Sequence, residues 1–478
     1  MSDLTRREFL GGCVATAGAL MAPAVAAAPA PVVIVGAGLA GLAAAHALGQ
    51  AQIPFVVLEQ SGHAGGRVRT VRDHFADGAW VDVGAQAGGS GYVNWIALCE
   101  AYGVAMSPGS PRPSAPPDTL LIVDGQRYSK AMLAAGELQW PFELKADEYA
   151  AAPARLLGQY LMPVAREIGT PANVLDGNWS RYDGITLGDF LRERGASPGA
   201  LALIERPLNY NGLDSVSALS ALRDATRLLE RQERVSIAGG NDTLTSAIAQ
   251  KHSAQVAYGV EVEALVQRDD GVDVQVRQHG APRRVQASRV IVTLPMPALA
   301  RIDVALPAAR REIVKHLPYT QIAKTHVQTR TRFWDQPRDV AAVYSNGPFE
   351  RVFDMSDSMQ SERGLLLNWI NGNGLRAFDG LDDAAHAERV VDWLASAWPE
   401  HAESFETTLV THWGRSYAGG AYAHYAPGQL QRWAPVIGQP VDLLHFAGEH
   451  TQLVEPGMEG AVTSGLRAAR EVIEKLRA

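Results

Sequence analysis

The sequence predicts an α/β fold in which a dinucleotide-binding domain meets a second, α+β domain. Three observations predict it. The run PVVIVGAGLAGLAAAHAL (31–48) reads as an apolar strand, a glycine turn and an alanine-rich helix. A second strand, FVVLE (55–59), ends on the carboxylate of Glu59, which a strand–helix–strand nucleotide site needs. The Pro/Ser stretch SPGSPRPSAPPD (107–118) then breaks the pattern and reads as an exit into another domain.

Taken in chain order, TRREFLGG (5–12) sets Arg6 and Arg7 before the mild apolar run GGCVATAGALMAPAVAAA (11–28). That layout is expected of a cleaved twin-arginine export signal, residues 1–28, delivering the protein to the periplasm through the twin-arginine machinery. No later stretch approaches the roughly 18 uninterrupted apolar residues of a membrane span, so no permanent membrane anchor is expected. Gly36 permits the tight turn, Gly38 lets backbone approach a pyrophosphate, and Gly41 lets helix and strand pack closely. Leu39 and Ala40 open the helix, whose N-terminus faces the phosphates with partial positive charge. Residues 140–230 read as mostly helical. Residues 254–278 read as strands around an Asp270-Gly271 turn, and residues 300–434 mix strands and helices. The dinucleotide domain is therefore expected from 31–106, 231–300 and 435–478, and the substrate domain from 107–230 and 301–434. The substrate pocket is expected where the two meet.

Composition narrows the partners. The chain has 478 residues and a formal charge of −8, which argues against nucleic acid. It holds two cysteines. Removal of residues 1–28 would leave Cys99 as the single thiol, excluding an intrachain disulfide or a cysteine metal site. The histidines show no HExxH spacing, so no metal is expected, and there is no GxSxG elbow.

GHAGGRVRT (62–70) follows the second strand, offering Gly66 for close backbone approach and Arg67 for phosphate. Here the chain resembles the flavin-containing amine oxidases (monoamine, polyamine and L-amino acid oxidases), and the resemblance covers most of its length. VDVGAQ (81–86) is similar to their loop beside the flavin, which implicates Gly84, Ala85 and Gln86. In YGVEVEAL (258–265), Val262 matches a valine whose backbone meets adenine. QPVDLLHFAGEHT (439–451) and GMEGAVTSGLRAA (457–469) match the C-terminal flavin segment. The resemblance implies that Gly448 and Glu449 run along the ribityl chain and phosphates. It also implies that the helix after Met458 aims its N-terminus at the flavin ring. The cofactor so implied is FAD, in a Rossmann-like domain of amine-oxidase type.

The resemblance also implies two catalytic side chains. Lys324 precedes Phe333-Trp334 by the family's nine residues, and there it holds a water against the flavin; by itself it could equally be a solvent-facing strand lysine. Tyr422, in YAGGAYAHYAPG (417–428), matches an aromatic that stands before the flavin and orients the amine; the alternative is a core tyrosine. His326 should share the face of Lys324 or simply pack. Three departures matter. Ala421 stands where monoamine oxidases carry a flavin-linking cysteine, so FAD should be held non-covalently. Gly457 stands where they carry a second cage tyrosine; Trp413 and Tyr210 are candidate replacements or packing residues. Ala87 stands where L-amino acid oxidases carry a carboxylate-gripping arginine. The expected reaction is oxidation of a small amine to an imine, which hydrolyses to a carbonyl compound. Electrons pass to O2, giving hydrogen peroxide, or to a periplasmic electron acceptor. The alternatives are an L-amino acid oxidase, a C–C desaturase-type flavoprotein, or a flavin-binding protein without turnover.

Overall fold

The computed structural model describes residues 30–108, 119–129, 132, 135, 143–151, 155–230, 232–335, 342–356, 359 and 361–478. The expected export signal and most of the Pro/Ser exit fall outside these.

A five-stranded parallel sheet forms the nucleotide side. Its order is Val256–Tyr258, Phe55–Glu59, Val32–Val35, Arg289–Val292 and Leu444–Phe446, so its strands come from widely separated stretches of chain. The central strand, VVIV, is buried throughout, as a β-branched run covered on both faces should be. Helix Leu39–Gln50 packs on this sheet and on the C-terminal helix Gly457–Arg477. Two glycines make the approach possible. A Cβ on Gly41 would stand 2.0 Å from the Gly36 carbonyl oxygen, and one on Gly465 would stand 2.1 Å from that of Ala40.

Beside this sheet the strands Val260–Arg268, Gly271–Gln278 and Ala281–Ala287 form an antiparallel meander, its first turn at Asp269-Asp270. Where described, residues 143–230 are mostly helical, with turns between, and Leu156–Ile168, Pro198–Glu205 and Ala218–Thr226 present apolar faces to one core.

A seven-stranded mixed sheet occupies the substrate side, ordered Phe405–His412, Ile322–Thr329, Gly364–Asn371, Arg351–Asp354, Ala342–Ser345, Thr119–Val123 and Gln126–Tyr128. Strand alternation sorts its side chains. Val327, Val352, Leu366 and Ile370 turn toward helix Asp383–Ala397, where Val390 and Leu394 meet them. Lys324 and Trp369, directly paired across two strands, take the opposite face and line a cavity between the two sheets. Among the described residues no helix is long and apolar enough to cross a membrane.

Candidate active site

The cavity measures about 670 Å³. At its nucleotide end, the turn Gly36–Gly38 and the first residues of helix Leu39–Gln50 form the wall. Gly36 takes φ +101°, and a Cβ there would meet Thr293 Oγ1 at 2.9 Å, so only glycine suits the turn. No side chain caps the helix at Gly38, so its first N–H groups remain available to an anion. Glu59 Oε2 accepts from Ala37 N and Oε1 from Ser61 N, each at 2.8 Å. Those bonds lock the carboxylate against the turn and leave each oxygen a lone pair for a ribose hydroxyl.

Of the residues singled out from sequence, Gly36, Gly38, Leu39, Ala40, Glu59, Gly66, Arg67, Gly84, Ala85, Gln86, Val262, Lys324, Trp413, Tyr422, Gly448, Glu449, Gly457 and Met458 all line this one cavity. Gly41 does not; its contribution is the close packing against Gly36. Tyr210 is a correction to the expected pocket. It is buried outside the lining, its hydroxyl donates to Asp224 Oδ2 at 2.5 Å, and its ring meets His424 edge-on. Hydrogen bonding to Asp224 turns it away from the cavity. Arg67 is a partial correction. Its Nη1 does not wait for phosphate but donates to Glu449 Oε1 and to the Ala421 carbonyl, both at 2.8 Å. Burial opposes its charge, yet Glu449 outweighs that and holds its pKa above the usual value. The pair thereby ties the loop after Gly66 to the C-terminal segment and to the residue before Tyr422.

At the other end, Lys324 is 2% exposed. Its Nζ donates to the Gly84 carbonyl at 2.5 Å and the Asp82 carbonyl at 3.4 Å, and lies 4.5 Å from the centroid of the Trp369 ring. Asp82 anchors the same loop, accepting from Thr70 Oγ1 at 2.6 Å, Asn241 N at 3.0 Å and Asn241 Nδ2 at 2.8 Å. Burial pushes the Asp82 carboxyl up to about 6 against those bonds and Lys324. His326 shares the strand face but is fully buried, outside the lining. Tyr422 holds its ring in place by donating to the Asn209 carbonyl at 2.9 Å, and burial raises its pKa, so the phenol stays neutral. Trp413 is fixed by Nε1 donating to the Val83 carbonyl at 2.8 Å. Gly457, at φ +73°, opens helix Gly457–Arg477; together with Met458 and Ala461 it brings that helix's N-terminus to the cavity.

Trp369, Arg69 and Thr293 also line the cavity and were not singled out from the sequence. Arg69 had a signal, the second arginine of GGRVRT. Trp369 had none, because only strand pairing opposite Lys324 brings it to the site. Among the described residues no group of three His, Cys, Asp or Glu could hold a metal ion.

A glycine turn under a helix N-terminus, continuous with a pocket walled by a lysine and aromatic rings, defines the class: a dinucleotide-dependent redox enzyme. The profile of the flavin-containing amine oxidoreductases matches residues 39–473, and the chain belongs to that family. It is 25% identical over 458 residues to the L-amino-acid oxidase of Bothrops pauloensis, covering 93% of this chain and 89% of the relative. Among solved structures, the fold is similar to cyclohexylamine oxidase from Brevibacterium oxydans IH-35A (TM-score 0.78, 20% identity, 94% and 100% of the two chains). It is also similar to putrescine oxidase bound to putrescine (TM-score 0.77, 22% identity, 94% and 99%). The protein is thus a flavin-dependent enzyme of amine oxidation.

The residues present fit the flavin. Gly38 would carry a Cβ into open space, which leaves room for a ligand against the turn. Gln86 lines the cavity, and its buried Nε2 has no hydrogen-bond partner among the described residues, an unmet donor beside the room left at Gly38.

Proposed function

We propose that the cofactor is FAD, held non-covalently, and that the enzyme oxidises a small amine to an imine that water converts to a carbonyl compound. The observation that carries this reading is the convergence of Lys324 and Tyr422 on one cavity with the glycine turn and Glu59. When bound, the flavin supplies the two-electron acceptor. The chain's own residues do the rest. The face of Tyr422 orients the amine and favours its partial positive character. The N-terminus of helix Gly457–Arg477 would offer its fixed positive potential to a cofactor bound in the cavity. Lys324, held by two carbonyls, would set a buried cation beside the bound cofactor and favour negative charge there. Ala421 offers no thiol for a covalent link, which supports a dissociable cofactor.

Hydrogen peroxide is the expected product of reoxidation in air; the alternative is transfer to a periplasmic redox protein. Export by the twin-arginine route belongs to the same reading, since that route carries folded cargo and Arg6-Arg7 precede an apolar run. The decisive experiment is stopped-flow mixing of the purified enzyme with an amine panel under argon, then air. Bleaching of the flavin by at least one amine, with peroxide appearing on aeration, is expected. No bleaching with any amine overturns the proposal. Acid precipitation should release all flavin into the supernatant; yellow colour in the pellet would contradict non-covalent binding.

A further inference from the structure

The stretch AGGND (238–242) leads into helix Asp242–Lys251 and lies outside the cavity lining. Asn241 stands at the cap position of that helix, where an asparagine side chain ordinarily accepts from the first helical N–H groups. Here it caps nothing. Gly239 and Gly240, at φ +80° and +108°, instead turn the chain against the hairpin of Thr70–Val71 and Val81–Asp82. A Cβ on Gly240 would stand 2.4 Å from Thr70 Cγ2. All three N–H bonds of Asn241 then go to one loop. Its main-chain N donates to Asp82 Oδ1 at 3.0 Å, and Nδ2 gives one hydrogen to Asp82 Oδ2 at 2.8 Å and the other to the Ala85 carbonyl at 2.9 Å. Asn241 Oδ1 is left buried, with no partner among the described residues. Turned over, the amide would set that oxygen against a carboxylate and a carbonyl, so its orientation is fixed. An asparagine that forgoes the cap and leaves its own oxygen unmet breaks two local preferences at once.

The compensation lies across the loop. From the substrate-side strand Ile322–Thr329, Lys324 grips the carbonyls of Asp82 and Gly84. From the nucleotide side, Asn241 grips the Asp82 carboxylate and the Ala85 carbonyl. The loop is thus held from both sides, and its N–H groups at Gly84 and Ala85 donate to the Arg69 and Arg67 carbonyls at 3.2 and 3.1 Å. We infer that Asn241 is a positioning residue for Lys324, holding the loop where the Gly84 carbonyl fixes the ammonium in the cavity wall. The inference rests on the amine-oxidation reading, in which Lys324 serves reoxidation, and names what sets that cation's place. Asn241 is 1% exposed and neutral, so it acts through the loop and not on a ligand. Without its amide, Asp82 keeps Thr70 Oγ1 and the main-chain N of residue 241, but the Ala85 carbonyl loses the bond to Nδ2 and the loop can drift from Lys324.

The test needs no amine. The FAD-loaded enzyme is photoreduced under argon and mixed with oxygen in a stopped-flow cell; reoxidation moves two electrons and two protons to O2, leaving hydrogen peroxide. Asn241→Ala should slow this step ~10-fold. Added to Lys324→Met, it should slow reoxidation less than ~2-fold further, because both changes act through one ammonium. A purely structural asparagine would give the full ~10-fold loss in either background. A second readout follows the cofactor alone. Gly84, Ala85 and Gln86 line the cavity, so FAD should leave the diluted Asn241→Ala holoenzyme ~3-fold faster or more, read as rising flavin fluorescence. Asn241→Gln keeps the amide but moves it by one methylene; it should follow the same pattern at smaller size, so the test stands if Asn241→Ala does not fold. Equal losses in the two backgrounds overturn the inference. Reoxidation or FAD release unchanged in Asn241→Ala overturns it as well. If Lys324→Met itself leaves reoxidation unchanged, the role given to Lys324 fails and this inference falls with it. Bleaching by amines under argon tests amine oxidation separately, so the two failures are told apart.

Discussion

At Lys324 a buried ammonium donates to the Gly84 and Asp82 carbonyls, so replacing it removes a charge from the cavity wall and a strut under the loop of Gly84, Ala85 and Gln86. Lys324→Met should slow flavin reoxidation by oxygen ~100-fold or more, the scale of a lost preorganised charge, and slow anaerobic reduction far less. Stopped-flow traces of the two half-reactions separate the effects; equal slowing of both would reduce Lys324 to its structural part. Tyr422 tests the aromatic wall. Among the described residues its hydroxyl bonds to the Asn209 carbonyl, so Tyr422→Phe should cost at most a fewfold in kcat/KM. Tyr422→Ala removes the ring and should cost ~10-fold or more; steady-state rates in which Phe and Ala behave alike would remove the ring's role. Both residues were legible because each sits in a local pattern, the nine-residue spacing to Phe333-Trp334 and the segment around Ala421. Trp369 and Arg351 were not legible. Nothing in GLLLNWIN marks Trp369 as a cavity residue until strand register pairs it with Lys324, and nothing in RVFD gives the face Arg351 takes until register pairs it with Trp369.

The glycine turn, the hairpin after Val260 and the C-terminal helix were readable for a related reason: each is specified by neighbours in sequence, through positive φ, turn residues or helical period. The seven-stranded sheet was not, because its order interleaves strands from 119–128, 322–371 and 405–412, which only tertiary packing can align. The start of helix Gly457–Arg477 shows how local constraint limits redesign. Gly457 sits where monoamine oxidases carry an aromatic, and restoring one should seem simple, since a Cβ there meets nothing closer than Tyr92 Oη at 3.5 Å. Space is not the obstacle. At φ +73° a side chain costs about 1–2 kcal/mol, which the helix start must absorb. Gly457→Tyr should therefore lower the melting temperature by a few degrees and reduce flavin retention, measured by the visible-to-ultraviolet absorbance ratio. A variant that melts like the wild type would show that the backbone relaxes and that the missing wall is a matter of substrate choice.

Across the whole molecule, buried titratable groups set a stability profile that no single segment reveals. Among the described residues burial depresses seven histidines, His46, His252 and His412 among them, and four furthest: His326 and His450 to about 3, His386 and His424 to about 4, aided by Lys324 at His326 and by Arg67, Arg310 and Arg467 at His450. Unfolded, each titrates near 6.5, so below that pH the unfolded chain binds more protons and stability falls as pH drops. Two carboxyls act in the opposite sense. Burial raises Asp82 to about 6 and Glu350 to about 8, so the folded chain holds those protons longer, and their contribution is lost as pH rises through those values. Between pH 6.5 and 5 the four histidines outnumber the two acids, so acid destabilises. Between about pH 7 and 8 the unfolded histidines are mostly neutral and Glu350 dominates these groups, so alkali destabilises, at up to about 1.4 kcal/mol per pH unit for one proton. The melting temperature, measured with saturating FAD at a fixed scan rate, should therefore peak near pH 7 and decline on both sides. Glu350→Gln keeps a hydrogen-bonding side chain at Asn371 without the titration, and should flatten the alkaline limb while making the acid limb steeper above about pH 4.5. His326→Met, at a fully buried position whose ring nitrogens have no partner, should make the acid limb shallower and leave the alkaline limb unchanged. If neither substitution alters its own limb, the profile is set by groups other than these buried ones.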